Sequence, residues 1–334
     1  MILLVVVHVV YGGWNEVARH AVRPEIAPAF LLWREVGSAI VLAPPFLLRR
    51  RVDDRLLPRR RDWARVAIAG TLLCSGAHVA FMVGLMLTNP TTAAIMQPLQ
   101  PLAALAMELC GCGEDDGGGD AGARRRRRDL VGPVAAVGGA LAIVVASRVG
   151  ADAATPAIAP AKSSLAFAAG VACLACEAIF IVIGLRIQRR LIRDSGYSPL
   201  AITAWGHAAG AALLLAAVVG LAPFLAPALS DSGGRLFMLE RAAWPAMGYA
   251  IVFVSAFNAF LLAHAAGALK VETVALFNVV QPMATVALAA VVDGAPVTIL
   301  HAAGGVGVVW GLRRHLSTGG GGDRKRKGSD VHQV

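Results

Sequence analysis

Apolar blocks of roughly 20 residues, separated by short polar segments, follow one another along almost the whole chain. An α-helix rises about 1.5 Å per residue, so such a block can cross a hydrocarbon core of about 30 Å. The blocks are continuously apolar rather than alternating, which excludes the strands of a membrane barrel. The pattern predicts ten membrane-spanning helices, at residues 2–18, 28–48, 64–87, 91–110, 130–148, 163–185, 198–220, 244–265, 271–292 and 296–312.

The composition agrees with a chain that folds in lipid. Of its 334 residues, 57% are hydrophobic and only 16% are charged, and the mean hydropathy is +0.65. A soluble globular domain carries about 25% charged residues. The sequence therefore predicts an all-α integral membrane protein, with the lipid bilayer as its surroundings.

Arginine and lysine concentrate in alternate loops, which sets the expected orientation. With the N-terminus in the cytosol, the cytosolic segments hold most of these residues: Arg49–Arg51, Arg59–Arg61, Arg124–Arg128, Arg186–Arg193 and Arg313–Lys327. The positive-inside rule then predicts that both termini are cytosolic. The rule also explains the net charge of +10 without a nucleic-acid partner, although the run Arg124–Arg128 and the tail could also bind RNA or anionic lipid.

One unusual stretch, Asn89–Glu108, occurs twice. It places prolines and glutamines inside an apolar block, and its Gln100-Pro101 has a counterpart in Gln281-Pro282, 181 residues later. Further pairs keep the same register: Trp63 with Trp244, Thr92 with Thr273, and Ala103 with Ala284. A run of matches in one register indicates a duplicated unit.

The duplication suggests how the chain is divided. We expect a first five-helix repeat over residues 1–150, interrupted by a flexible acidic and arginine-rich insert at 111–129. A second five-helix repeat would cover residues 163–315. Residues 316–334 have the composition of a disordered cytosolic tail.

Polar side chains inside the spans are the candidate site, because they are costly in lipid. Gln97 and Gln100 share one face of the fourth span. In the ninth span, Asn278, Gln281 and Thr285 share a face in the same way. Subtracting the spacing of 181 residues from the numbers of Asn278 and Gln281 gives the positions of Gln97 and Gln100. Both halves therefore have a stripe of amides at equivalent positions.

Proline adds a second signal in the same two stretches. Pro101 and Pro282 each remove a backbone hydrogen bond, so the carbonyls of Gln97 and Asn278 lose their usual partners. Kinked helices with free carbonyls in matching halves are typical of a transporter binding site at the membrane midplane. The alternative is that the amides only hydrogen-bond neighbouring helices, an interaction worth about 0.6–2 kcal/mol.

Three other polar positions complete the predicted cavity. Asn15 shares a face of the first span with His8 and Tyr11. The remaining two are His78, which shares a face of the third span with Ser75, and Asn258, which shares a face of the eighth span with Ser255.

Three charged residues are candidates for proton coupling or for contact with a charged substrate. Glu177 lies inside the sixth span and could carry a proton, or its side chain could snorkel to the cytosolic surface. Arg34 lies early in the second span and could snorkel outward or contact an anionic substrate. Glu108 corresponds to the apolar Ala289 of the second repeat, so it lies outside the shared stripe.

No cofactor or metal is expected from the sequence. Among the five cysteines, Cys173 and Cys176 have the spacing of a metal or redox motif, but no second ligand pair accompanies them. Zinc normally needs four ligands, so we interpret these cysteines as packing residues in the core. The histidines are scattered rather than clustered at one membrane face, so an enzyme is not expected. There is no phosphate-binding loop, so a gradient or the substrate itself would have to supply the energy for transport.

Small residues at a spacing of four predict close helix packing. Gly206 and Gly210 have this spacing in the seventh span, as do Gly307 and Gly311 in the tenth. The pair Gly138-Gly139 in the fifth span is expected to act in the same way.

The sequence also resembles a known family along nearly its whole length. The similar segments are Tyr11-Gly12-Gly13-Trp14-Asn15, Trp33-Arg34, Ala43-Pro44-Pro45-Phe46, Leu130-Val131-Gly132, Tyr197-Ser198-Pro199 and Val309-Trp310-Gly311. Together and in this order they resemble the plant drug/metabolite exporters, the nodulin-like, EamA-domain branch of the drug/metabolite transporter superfamily. The resemblance implies ten helices in two inverted five-helix EamA-type repeats, with amino acids and auxin-like indoles as substrates.

The resemblance also has consequences for individual positions. It implies that helices one, three, four, six, eight and nine line a central cavity. It also implies that Arg34 and Glu108 correspond to positions in the motifs of the family. The chain departs from the family at Gln281, where asparagine is common, at Asp293, the acid after helix nine, and in the long insert after helix four. Because of the first two departures, the substrates of the family are a weaker guide to the substrate of this chain.

These observations predict a secondary transporter of small organic metabolites that works by alternating access. A nucleotide-sugar or other organic-anion antiporter of the same superfamily is the first alternative, and a non-transporting membrane scaffold is the second. We expect a small-molecule substrate and the plasma membrane as the location, with the vacuolar or plastid membrane as alternatives. A homodimer is left open.

Overall fold

The computed structural model describes residues 1–21, 27–48, 57–88, 90–112, 130–152, 164–231 and 241–319, and these residues form helices and turns. The helices that are continuous are α1 (Ile2–Ala21), α2 (Ala27–Leu48), α5 (Val131–Asp152), α6 (Ser164–Arg193), α7 (Pro199–Asp231) and α10 (Ile299–Gly319). Most of the insert at 111–129 and of the tail at 316–334 lies outside the described residues.

The other four helices each consist of consecutive segments. These are α3 (Trp63–Gly70, Thr71–Gly76 and Ala77–Leu87), α4 (Pro90–Met96, Leu99–Met107 and Glu108–Cys112), α8 (Trp244–Tyr249, Ala250–Phe257 and Asn258–Ala268) and α9 (Val271–Leu276, Phe277–Val279 and Val280–Val292). The predicted all-α fold of ten helices is thereby confirmed over the described residues.

The surface of the helix bundle is suited to lipid. Among the described residues, five helical stretches are long and apolar enough to cross a membrane: Arg60–Leu87, Ser164–Arg193, Pro199–Gly220, Arg241–Ala268 and Val271–Val292. Two shorter ones, Ile2–Ala18 and Val131–Ser147, are also apolar. Large apolar side chains point outward, such as Val291 and Ile299, whose exposed fractions are 84% and 89%. Lipid tails are as apolar as these side chains, so this exposure carries no penalty in a membrane.

The helix that contains the sixth predicted span is longer than that span. Residues 186–193 were expected in a cytosolic loop, but α6 continues to Arg193. Arg186 and Arg189 are buried, and their guanidinium groups donate to the carbonyl oxygens of Ala104 in α4 and Ala266 in α8. Ala266 lies in the last turn of α8, where the helix dipole favours a cation. The two charges are therefore bonded to neighbouring helices and do not end α6.

Glycines set the closest helix contacts, as the small-residue spacing predicted. Between α5 and α10, a Cβ atom on Gly139 would lie 2.5 Å from the carbonyl oxygen of Gly304. Between α3 and α7, a Cβ atom on Gly70 would lie 2.2 Å from the carbonyl oxygen of Gly206. The expectation for Gly138 was wrong, because a Cβ atom there would meet nothing within 4 Å.

Many packed helix pairs have a counterpart whose helix numbers differ by five. The contact between α3 and α6 corresponds to that between α8 and α1. In the same way, α3–α7 corresponds to α8–α2, and α1–α9 corresponds to α6–α4. The pairs α2–α7, α4–α9 and α5–α10 map onto themselves. This is the packing expected when two similar five-helix units associate.

Local irregularities of the backbone recur at the same spacing as the sequence matches. A short 3-10 turn at Arg60–Asp62 precedes α3, and another at Arg241–Ala243 precedes α8. Both helices then contain a π-helical segment, Thr71–Gly76 in α3 and Ala250–Phe257 in α8. Features of this kind depend on local sequence, so their shared register supports a duplicated unit.

Candidate functional site

The two amide stripes predicted from the sequence meet in the interior of the protein. The Nδ2 atom of Asn278 in α9 donates to Oε1 of Gln100 in α4 at 3.1 Å. The same Nδ2 atom lies 3.4 Å from the carbonyl oxygen of Gln97, to which it also donates. Asn278 and Gln281 are buried, whereas Gln97 and Gln100 are half-buried.

The local backbone explains why Asn278 reaches this carbonyl. Pro101 has no N–H group and cannot donate to the carbonyl oxygen of Gln97 in the usual helical pattern. The helix is interrupted by a turn at Gln97 and Pro98, and the backbone N–H of Gln100 donates to the Gln97 oxygen at 3.3 Å. The oxygen still has a free lone pair, and the amide of Asn278 uses it.

The irregularity in α9 has the same position in its own repeat. The 3-10 segment Phe277–Val279 precedes Pro282, as the turn at Gln97 and Pro98 precedes Pro101. Both prolines are themselves buried. The prolines and amides therefore act together in each half, because proline changes the backbone and the amide supplies a polar partner nearby.

Two other predicted residues connect α1 with α9. The Nδ2 atom of Asn15 donates to Oγ1 of Thr285 at 3.2 Å. The Thr285 hydroxyl lies 3.1 Å from the carbonyl oxygen of Gln281 and 3.3 Å from that of Gly12. A Cβ atom on Gly12 would lie 2.6 Å from that of Ala284, so glycine allows this close approach of the two helices.

Asn258 lies between α8 and α1 rather than beside the amide stripes. Its side chain is fully buried, and its Nδ2 atom donates to the carbonyl oxygen of Val7 at 3.0 Å. The hydroxyl of Tyr249, also in α8, donates to the carbonyl oxygen of Val10 at 3.0 Å. These contacts fit the alternative in which a polar side chain joins neighbouring helices.

A second polar cluster surrounds Glu35 in α2, a residue that the sequence analysis did not single out. Glu35 is fully buried, and its Oε1 atom accepts from Nη2 of Arg34 at 3.0 Å. Nδ1 of His78 in α3 lies 3.0 Å from the same oxygen. Nδ1 of His207 in α7 lies 3.3 Å from Oε2. The signal in the sequence was the presence of two adjacent charges, Arg34 and Glu35, within one apolar span.

Helix packing brings this second cluster together. Gly70 and Gly206 bring α3 and α7 into close contact, and the Ser75 hydroxyl donates to the carbonyl oxygen of Gly210 at 2.6 Å. This contact places Cys74 against α7, one turn before His78. The ligand atoms of Glu35, Cys74 and His207 all lie within 4.8 Å of one another, a spacing that could hold a metal ion.

Arg34 therefore turns inward in this structure. Its exposed fraction is 7%, and its guanidinium pairs with Glu35. Ser38, one turn later, donates to the carbonyl oxygen of Arg34 at 2.6 Å. Of the two alternatives for Arg34, outward snorkelling does not fit this geometry.

The two remaining charged candidates lie apart from both clusters. Glu177 is half-buried in the middle of α6. Glu108 lies near the end of α4, where it interacts electrostatically with Arg189 of α6 and with Glu272 of α9. This is the end of the bundle at which α4, α6 and α9 meet.

The cysteines of α6 do not pack in the core as expected. Cys176 is exposed on the helix surface and Cys173 is half-buried, and both are free thiols. Their helix faces outward there because the inward face is occupied by residues such as Leu174 and Ala178.

The comparisons with known proteins agree with this architecture. Residues 1–115 match the EamA-like transporter family. One solved crystal structure of a protein has a TM-score of 0.68 and 15% sequence identity over 94% of this chain and 95% of that chain, a likeness that shows the fold alone. A search of curated protein sequences finds no match. About a third of the chain, residues 1–115, is therefore similar to the EamA-like transporter family.

Proposed function

We propose that this protein transports amino acids or auxin-like indoles by alternating access between two inverted five-helix repeats, residues 1–150 and 163–315. The family of residues 1–115 implies secondary transport of small metabolites. The observation that carries the proposal is the hydrogen bond between Asn278 and Gln100, which joins α9 to α4 in the interior. It connects the two stretches whose amides and prolines are duplicated.

The chemistry of primary amides supports these substrate classes. An amide offers two donor hydrogens and an acceptor oxygen without a net charge. It can therefore bind a carboxylate, an ammonium group or an indole N–H. A neutral side chain also costs less than an ion inside the membrane when the cavity is empty. In our proposal the substrate replaces the bond between Asn278 and Gln100, and Gln97 and Gln281 supply further contacts.

Alternating access requires these contacts to form and break as the repeats move. Each hydrogen bond that Asn278 and Thr285 make to a neighbouring helix is worth about 0.6 kcal/mol on average. Bonds this weak can exchange for contacts to a substrate at little cost. The carbonyls of Gln97 and Asn278, which the prolines release from the usual helical hydrogen bond, would supply the polar backbone that transporter sites commonly use.

One observation favours the organic-anion antiporter as a second candidate. Arg186 and Arg189 are buried where α6 meets α4 and α8, with exposed fractions of 8% and 2%. Buried guanidinium groups could attract a carboxylate or phosphate ester that enters from that end. Loss of anion exchange in Arg186→Gln, with neutral substrates still transported, would favour this candidate.

We further propose that both termini are cytosolic and that the protein resides in the plasma membrane, with the vacuolar or plastid membrane as alternatives. The backbone N–H of Arg59 donates to the hydroxyl of Tyr197 at 2.8 Å, so the basic segments before α3 and α7 lie at one end of the bundle. Accessibility of single cysteines placed in these segments to a membrane-impermeant reagent would test the orientation. Crosslinking of the same variants would reveal a homodimer.

The proposed function is tested by counterflow in proteoliposomes. The protein is reconstituted and screened against amino acids, indoles, purines, organic cations and organic anions. Gln100→Ala and Gln281→Ala should abolish counterflow of the substrate found, with expression and elution profile retained. Gln188→Ala is the matched control, because it removes another buried amide, in α6, outside the stripes.

Two results would contradict the proposal. Transport at the wild-type rate by both stripe variants would place the substrate elsewhere. The absence of counterflow for every substrate class, in well-folded reconstituted protein, would favour the membrane scaffold.

A further inference from the structure

We infer that Glu35, Cys74 and His207 form a buried binding site for a borderline-soft divalent cation, for which Zn²⁺ is the best match. The site lies where α2, α3 and α7 meet and contains none of the amides of α4 and α9. It therefore goes beyond the proposed transport function and does not depend on it.

The donor set and its spacing fit zinc. The three ligand atoms, a carboxylate oxygen, a thiol sulfur and an imidazole nitrogen, all lie within 4.8 Å of one another. Zinc binds these atoms at about 2.0–2.3 Å, so small side-chain rotations would bring all three onto one ion. A thiolate ligand favours zinc over magnesium or calcium, which prefer oxygen ligands only. A fourth position would stay open, as in zinc sites that also hold water or another ligand.

The polar atoms in this cluster lack enough partners. His207 is 2% exposed, and among the described residues neither of its ring nitrogens makes a hydrogen bond of good geometry. Within the described part of the chain, Oε2 of Glu35 also has no well-directed hydrogen bond, and it lies 3.3 Å from His207 Nδ1. Buried polar groups without partners are costly, and native structures usually satisfy them. A cation between these atoms would supply the missing interaction for both side chains.

The surroundings would hold the carboxylate in place. Arg34 donates to Oε1 of Glu35 from Nη2 at 3.0 Å and from Nε at 3.3 Å. His78 Nδ1 lies 3.0 Å from the same oxygen. Metal-ligating carboxylates are commonly fixed in this way by a second shell of hydrogen bonds. Oε2 is left facing Cys74 and His207.

The charges near the ion are compatible with binding. Glu35 and a deprotonated Cys74 would contribute two negative charges against the divalent cation. Arg34, which pairs with Glu35, adds one positive charge, so the ion, the two anionic ligands and Arg34 together would carry a net charge of +1. The rings of His8 and Tyr11 in α1 are 6.0 Å apart. Tyr11 interacts electrostatically with Arg34 and Cys74, but its neutral phenol adds no charge to the site.

The position of the site predicts what binding would do. Its ligands come from α2 and α3 in the first half of the chain and from α7 in the second. An ion held by all three helices would crosslink the halves and stabilise this arrangement. We therefore expect zinc to raise the thermal stability of the protein and to slow any motion that separates α7 from α2 and α3.

The experiment measures zinc binding to the purified full-length protein in detergent, by competition with a fluorescent chelator. All cysteines except Cys74 are first replaced by serine, at positions 110, 112, 173 and 176. We expect one zinc ion per chain and a rise in Tm. Cys74→Ser, His207→Gln and Glu35→Gln should each weaken binding by at least about tenfold, the lower bound for loss of a second-shell group. His264→Gln, which alters an exposed histidine of α8, should bind like the parent.

Spectroscopy keeps the inference testable when a variant does not fold. Co²⁺ bound to the parent, whose only thiol is Cys74, should give a thiolate-to-metal charge-transfer band. Absence of stoichiometric zinc binding, absence of that band, or full zinc affinity in the folded Cys74→Ser and His207→Gln variants would each overturn the inference.

Discussion

The side-chain amide of Asn278 donates to Oε1 of Gln100 across 3.1 Å, which joins α9 to α4. In the register of the repeat, Asn278 corresponds to Gln97, whose own carbonyl oxygen accepts from the same amide at 3.4 Å. Equivalent positions of the two halves therefore lie against each other. This is the geometry expected when a pseudo-two-fold axis passes between α4 and α9.

The first prediction concerns the strength of this contact. Asn278→Ala removes both bonds and should lower the free energy of unfolding by about 0.6–2 kcal/mol, while transport falls much further because the substrate loses a contact. A double-mutant cycle with Gln100→Ala, followed by thermal unfolding, should give a coupling energy of about 0.6 kcal/mol or more. Strict additivity of the two variants would show that the bond is not formed in the membrane.

The second prediction separates cavity residues from packing residues. Asn258→Ala removes a fully buried bond between α8 and α1, so it should reduce Tm and the yield of folded protein. The KM of the folded protein should stay unchanged because the side chain faces another helix. A raised KM with an unchanged Tm would instead place Asn258 in the substrate cavity.

The third prediction concerns the contact between α5 and α10. Gly139→Ala places a Cβ atom 2.5 Å from the carbonyl oxygen of Gly304, so the helices must separate. Overpacking of this kind costs about 1–3 kcal/mol. Gly138→Ala is the matched control, because its Cβ atom meets nothing within 4 Å. Thermal unfolding should show a loss of stability for Gly139→Ala alone.

The fourth prediction concerns the polar contact that fixes the start of α3. The hydroxyl of Tyr197 donates to Oδ2 of buried Asp62 at 2.8 Å. Tyr197→Phe leaves that carboxylate with fewer partners and should cost about 1–3 kcal/mol. Arg65→Ala removes an exposed partner of the same aspartate and should cost less than about 1 kcal/mol. Similar losses in the two variants, measured by chemical or thermal unfolding, would contradict this account.

The fifth prediction tests proton coupling through Glu177. Its carboxyl group is half-buried inside α6, so it could take up and release a proton as the helix moves. Uptake by wild-type proteoliposomes should rise with an imposed pH gradient, and Glu177→Gln should transport at one rate with or without it. Equal rates in the wild type would remove the coupling hypothesis.

The sequence predicted those features of the fold that depend on the residues of a single segment. Ten apolar blocks predicted ten helices because lipid requires every spanning segment to be apolar and to satisfy its own backbone. The glutamines and prolines of Asn89–Glu108 revealed their partner stretch because duplication leaves matches in one register. Gly139 and Gly206 marked helix contacts, since only small residues allow such close approach.

Other features depended on which helices are neighbours. The burial of Arg186 and Arg189 was missed because their partners are carbonyl groups of α4 and α8, far away in sequence. The predicted core packing of Cys173 and Cys176 was wrong. Both faces of this membrane-spanning helix are apolar, so the sequence alone did not indicate which face packs against the other helices.

By itself, the sequence determined the membrane class and the number of helices, because hydropathy is a property of the chain. It also predicted the register of a repeat from the matches between its two halves. It also identified the amides of α4 and α9 as a pair. Only the tertiary structure decided that Asn278 bonds to Gln100 and that Glu35 lies between His78 and His207. The physical reason is that a polar side chain in a membrane bundle is stabilised by partners from other helices, and helix packing alone determines which partners are within reach.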